Sequence, residues 1–212
     1  MSSNTNIANM ALSHLGLGKT IANLDTEQSE EARACRVFFD IARDSVLREA
    51  QWPFAKVRAQ LGLVAEAPNT EWLYSYRYPA DCIFLRRIPS GIKRESREIR
   101  LPYEVGKDAN GLLILTDTGN AEIEYTARME AVQYYPSDFT LALSYLLAAL
   151  IAPRITKGDS FKLKNDMYAL YQSEVSTAKR NGFNEQTDPL KPRSEFVTVR
   201  GSSANDKYET ID

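Results

Sequence analysis

The chain has 212 residues, room for one or two compact domains of roughly 100–200 residues each. It is 43% hydrophobic and 25% charged with a formal net charge of −2. This is the balance of a globular protein, and it gives no bulk electrostatic reason for tight nucleic-acid binding. Two cysteines, Cys35 and Cys82, make neither a disulfide framework nor a metal-ligand spacing.

Met1 to Asn6 is polar, with no basic segment followed by an apolar run, so no signal peptide is expected. Residues 3–15 read as a short helix, with Ile7, Met10, Ala11 and Leu15 at helical spacing and Gly16 at the C-terminal cap position. A loop from Leu17 to Gln28 follows. Ser29 is placed to cap a second helix, with Glu30 and Glu31 in its first turn. That helix runs to about Gln51 on a stripe of Cys35, Phe38, Phe39, Ala42, Val46 and Leu47. Arg36–Asp40 and Asp44–Arg48 place opposite charges four apart on its other face. Pro53 ends it.

From about Val57 to Met129 the pattern changes to short, often alternating strands. They lie around Leu61 and Leu63, Trp72 to Tyr78, Ile83 and Leu85, Ile99 and Leu101, Leu112 to Leu115, and Ile123 and Tyr125. Proline and glycine punctuate them, and Asn110-Gly111 signals a hairpin. After Pro136, Ser137 or Asp138 is placed to cap a helix from Phe139 to Ile151 that is apolar almost all round. Its 13 residues fall short of the roughly 20 that span a bilayer, so it reads as buried, with Pro153 as kink or stop. Asp159 or Ser160 starts a fourth helix, Phe161 to Arg180, with Leu163, Met167, Leu170 and Ala178 inward and Asn181-Gly182 as its stop.

The expected fold class is therefore α+β: a four-helix discontinuous domain (residues 1–56 plus 133–182), an inserted antiparallel β domain (57–132) and an extended or disordered C-terminal arm (183–212). Neither helix pair alone buries both of its apolar faces, which argues for one shared helical core.

Motifs with chemical meaning are few. Gly18-Lys19-Thr20 imitates the end of a phosphate-binding loop, but Ser13 stands where that loop needs its first glycine, and a helix precedes it instead of a strand. His14 is the sole histidine and reads as structural, its protonated form favoured near a helix C-terminus. Glu30 with Glu31 and Glu122 with Glu124 are candidate acid pairs. The first pair diverges on a helix, and the second shares a strand face that reads as solvated. Arg86, Arg87, Lys93, Arg94, Arg97 and Arg100 form a basic run. Trp72, Tyr74, Tyr76 and Tyr78 form a period-2 stripe suited to base stacking or to strand packing. No catalytic residue, cofactor or metal is expected.

Dense motifs fill the N-terminal third: Ile7 to Gly16, Ile21-Ala22-Asn23-Leu24-Asp25, Glu31 to Asp40, Arg43 to Glu49, and Trp52-Pro53-Phe54-Ala55. They resemble the start of phage head-to-tail adaptors of the tail tubular protein A type. The likeness is dense over residues 7–61 and looser through Tyr78-Pro79 and Leu141 to Ala152. It implies a structural ring, usually of twelve copies, seated under the portal in the virion neck. The implied partners are the portal protein, a tail or nozzle protein and further copies of the chain. Genomic DNA passes the channel without specific binding, no membrane is involved, and assembly takes place in the host cytoplasm. In that setting Arg36, Asp40, Arg43 and Asp44 supply both charge signs for lateral contacts. Phe196, Val197, Thr198 and Val199 in the arm form a strand-prone segment for docking on the portal or a neighbouring subunit. Two other classes compete: a tail-associated peptidoglycan hydrolase using a carboxylate pair, and a DNA-binding packaging protein.

Overall fold

A computed structural model describes residues 3–91, 101–156 and 158–184. Helix α1 spans Asn4–His14; the Ser3 hydroxyl caps it by accepting from the Asn6 amide at 3.1 Å. At its end Gly16 takes φ +70°. The Gly16 and Leu17 amides then turn back to the carbonyls of Ser13 and Leu12, which closes the helix. Helix α2, Glu30–Glu49, starts on Ser29, whose hydroxyl accepts from the Ala32 amide. The connecting loop is packed: Ile21 and Leu24 are buried, and Asn9 grips Ile21 with both amide atoms, accepting from its N–H at 2.7 Å and donating to its carbonyl at 2.9 Å.

A short 3-10 turn at Pro53–Ala55 leads, among the described residues, into seven strands: β1 Lys56–Gln60, β2 Leu63–Glu66, β3 Tyr74–Arg77, β4 Cys82–Arg87, β5 Glu104–Asp108, β6 Gly111–Thr116 and β7 Glu122–Ala127. They form two antiparallel sheets, of order β1-β7-β4 and β2-β3-β6-β5. Ile123, Tyr125, Ala127 and Leu85 from the first and Tyr76 and Ile114 from the second meet in one core. The expected hairpin is present, but its two-residue loop is Ala109-Asn110. Gly111 already pairs with Asp108 and carries the positive φ. The Asp108 carboxylate accepts from the Asn110 amide at 2.8 Å, which tightens the turn. The sequence pattern missed β1 as a whole and β5, whose residues do not alternate. Leu101 lies outside any strand, and Ile99 lies outside the described residues.

Helix α3, Ser137–Ile155, is six residues longer than its apolar run predicts. Pro136 occupies the cap position, with no side chain as cap, while Asp138 accepts from the Phe139 amide at 2.8 Å. Pro153 does not stop the helix. It falls in the last turn, where only two residues follow it. The helix is long and apolar enough to cross a bilayer, but α1, α2 and α4 all pack on it, and this accounts for its apolar circumference. Helix α4, Ser160–Asn184, is capped by Asp159, which accepts from the Lys162 amide at 3.1 Å. It runs through Asn181-Gly182, since one glycine costs a helix only about 1 kcal/mol. Its buried residues are Met167, Tyr171, Val175 and Ala178; Leu170 faces out. Of the expected inward residues, Met167 and Ala178 are buried and Leu163 packs against the core, while Tyr171 and Val175 take the place expected of Leu170.

The helical core draws on residues 7–55 and 135–178, and a separate β core draws on residues 61–127. At the crossing between them, Phe139 is fully buried against Trp52, Phe54 and Tyr135, with ring centroids at 5.0, 5.0 and 4.7 Å. Because β1 and β7 pair (Lys56 opposite Thr126), the chain leaves and re-enters the helical domain side by side. The aromatic cluster holds those two passages together.

Candidate functional site

Glu124 provides the strongest electrostatic feature. It sits on the central strand β7 and is 1% exposed, where the sequence pattern placed a solvated face. Gln51 and Lys56 reach one carboxylate oxygen at 3.0 and 3.2 Å, and Arg58 and Arg87 reach the other at 3.0 and 3.1 Å. Burial alone pushes this carboxyl up. The hydrogen bonds from Arg87 and Lys56, with their charges, outweigh it and hold the pKa below the ordinary value. Glu122, two residues away, is exposed, so the two glutamates do not share one environment. A glycosidase-type acid needs a raised pKa, and Glu124 has the opposite.

Arg86 is the second such group. Its Nε donates to Thr126 Oγ1 at 2.9 Å, and one Nη reaches the carbonyls of Leu47, Arg48 and Ala50, at 2.6 Å for Ala50. It satisfies the orphan carbonyls ending α2 from the β domain, lies over the Phe84 ring at 4.4 Å, and pins the two domains together. Arg128, bonded to Asp44 at 2.9 Å, adds another tie. Arg86 and Arg87 of the basic run thus serve internal contacts; Lys93, Arg94, Arg97 and Arg100 lie outside the described residues.

His14 approaches Ser144, Nε2 to Oγ at 3.0 Å, in what resembles a base–nucleophile pair. The Ser144 hydroxyl, however, donates to the Leu141 carbonyl at 2.8 Å and is fully buried, so it accepts from His14 and activates nothing. His14 stacks on Tyr145 at 4.2 Å, and burial lowers its pKa, against the protonated form that the helix C-terminus would favour. Lys19 pairs with Glu31 at 2.6 Å in the loop after α1. Burial pushes the Cys35 thiol up to about 12. Among the described residues no group of three His, Cys, Asp or Glu side chains could hold a metal ion.

The charged set on α2 is drawn inward. Arg36 spends one Nη on the carbonyls of Leu24, Asp25 and Glu27, at 2.8 to 2.9 Å, and so fastens the α1–α2 loop, while Asp40 pairs with Arg43 instead. Arg43 is only 6% exposed and also holds Asp44 at 3.0 Å. Asp40 remains open to solvent. The Phe196–Val199 segment lies outside the described residues. In the tyrosine stripe Tyr76 is buried, with its hydroxyl donating to the Thr118 carbonyl at 2.8 Å; Trp72 and Tyr74 are half-buried, and Trp72 Nε1 donates to Glu104. The stripe is a packed strand face.

Sequence reasoning missed two exposed apolar surfaces. On the helical side, Val37 and Ile41 of α2 and Phe161 and Tyr168 of α4 stand open, 45–70% exposed. Between α2 and α4 runs a groove of about 500 Å³ floored by Leu146 and Leu150 of α3. On the β side, Leu63, Val64, Leu73, Val105 and Leu112 are open on or beside the four-stranded sheet. Isolated exposed apolar residues are ordinary, but Ile41 and Tyr168 on the two walls of the groove, and Leu63, Val105 and Leu112, which the strand register puts on one side of the sheet, are interaction candidates. Compared with family models and with curated proteins, the chain matches none.

Proposed function

We propose that the chain is a structural head-to-tail adaptor of a tailed bacteriophage, a ring subunit joining the portal to the tail. Its partners are then the portal protein, a tail or nozzle protein and copies of itself, with DNA passing through the channel. The observation that carries this reading is the pair of unlike apolar surfaces, one built from α2 and α4, the other from the rim of the four-stranded sheet. Two unlike faces joined head to tail generate rings when the rotation closes, whereas a single self-complementary face stops at a dimer. The N-terminal resemblance supports the same role. Its residues Asn9, Ile21, Leu24 and Arg36 hold the α1–α2 loop in place, which fits a motif of scaffold and not of chemistry.

The test is negative-stain imaging and mass measurement of the protein mixed with its portal. Rings on the portal are expected, lost with Ile41→Asp or Leu112→Asp while the circular dichroism spectrum stays unchanged. A protein that stays monomeric beside the portal, or rings indifferent to both substitutions, would overturn the proposal.

A further inference from the structure

The face of the β1-β7-β4 sheet that carries Glu124 is strongly basic. Lys56 and Arg58 stand two residues apart on β1, opposite Thr126 and Glu124, and Arg87 stands opposite Glu124 on β4. Arg86 bonds Thr126 on the same face, and exposed Arg48, from the end of α2, lies over the Phe84 ring at 5.3 Å. Against these five cations the face sets two carboxylates, Glu122 and Glu124, a net +3 in a chain whose total is −2.

Glu124 fixes this charge in place without cancelling it. One buried carboxylate holds three cations at 3.0 to 3.2 Å, so their side chains are ordered before any ligand arrives. Arg58 gives Nε and one Nη to Glu124, yet its side chain is 49% exposed, and that of Lys56 is 31% exposed. Arg86, by contrast, is spent on the carbonyls that end α2. The charge presented outward is therefore that of Arg58, Lys56 and Arg48. Lys56 and Arg58 stand about 7 Å apart along β1, and β4 lies about 10 Å from β1 across β7. Among the described residues, none of the large apolar side chains that stand open lies on this sheet. A protein partner would need an apolar centre to bury, whereas a phosphate backbone is met by a polar, positive and wet surface. The guanidinium fork also matches phosphate oxygens. We infer that this face binds the phosphate backbone of a nucleic acid through Arg58, Lys56 and Arg48. Such contacts position a duplex and read no bases, so the binding is independent of sequence.

This inference needs only the single chain and does not rest on the adaptor reading. The test is fluorescence anisotropy of a labelled DNA duplex of mixed sequence, titrated with the full-length protein across a salt series. Binding in the non-specific range, Kd about 10⁻⁴ to 10⁻⁶ M, is expected, with log K falling against log salt at a slope of about −2.7 for three phosphates neutralised. Arg58→Gln with Lys56→Gln should make that slope shallower by about two and weaken binding about tenfold or more at low salt. Arg154→Gln with Lys162→Gln removes the same charge from exposed positions of the helical domain and should leave the affinity within about twofold. Should the first pair change the circular dichroism spectrum, Arg48→Gln decides, because Arg48 makes no bond to Glu124 among the described residues; its slope should be shallower by about one. Absence of binding at low salt, an equal loss from both charge-matched pairs, or an Arg48→Gln slope like the parent's would overturn the inference. So would polyglutamate displacing the duplex at equal charge concentration, which would assign the face to an acidic polypeptide.

Discussion

The helical and β domains solve the problem of stability differently. In the helical core the buried groups are overwhelmingly apolar; Trp52 Nε1 finds a local partner at the Val46 carbonyl, 2.8 Å away, while the buried Thr140 hydroxyl has none among the described residues. The β core is much smaller and is framed by polar ties: Glu124 with its three cations, Arg77 bidentate to Asp108 at 2.9 and 3.0 Å, and the Tyr125 hydroxyl on Asp81. A small sheet pair cannot remove enough apolar area from water, so directional contacts to charged groups supply the balance. The difference implies that the helical domain is sensitive to lost volume and the β domain to lost charge.

The largest effect is expected where volume matters most. Phe139→Ala should cost about 3–5 kcal/mol in urea unfolding, because it empties the centre of the aromatic cluster. A loss below about 1 kcal/mol would break the contrast.

Next comes Glu124→Gln, which keeps shape but leaves Lys56, Arg58 and Arg87 facing a neutral group. Breaking a buried ion pair costs about 3–5 kcal/mol. The partial exposure of the three cations puts this one at or below the lower end. The sign with pH follows from a carboxyl whose folded pKa is lowered: its stabilisation is present above the unfolded value of 4.5 and is lost as pH falls through the folded one. The variant should therefore show a flatter acid limb below pH 4.5 than the parent. An unchanged limb would mean that the cations do not hold this carboxylate.

Arg86→Leu should cost about 2 kcal/mol, since the carbonyls of Leu47, Arg48 and Ala50 lose a charged donor. Hydrogen exchange should locate the loosening at the last turn of α2, and loosening confined to β4 would contradict the interdomain role.

The smallest effect concerns His14. Its folded pKa is lowered, so the unfolded chain binds the proton more readily, and stability falls as pH drops from 6.5 toward the folded value. The slope cannot exceed one proton, about 1.4 kcal/mol per pH unit. His14→Gln should remove that slope between pH 6.5 and 5; a slope that persists would assign it to another group.

What the amino-acid sequence determined by itself is whatever is settled within a few residues along the chain. Ser3, Ser29 and Asp159 cap helices because a hydroxyl or carboxylate there meets amides three residues on, and Gly16 closes α1 because the turn needs a positive φ. Apolar spacing found the inward stripe of α2 and the alternation of β3, and the composition change at Pro53 and Pro136 marked the β-rich stretch. Tertiary structure decided the rest. Glu124 looked solvated because alternation says nothing about what covers a strand's second face; Arg58, 66 residues earlier, meets it only because β1 pairs with β7. Arg36 and Arg43 looked like surface charges, yet a folded loop and two carboxylates claimed them. On α4, which packs on α3, Leu170 faces out and Tyr171 and Val175 are buried instead. A charged side chain's partner is a property of which elements become neighbours, and that is set by burying apolar area across the whole chain.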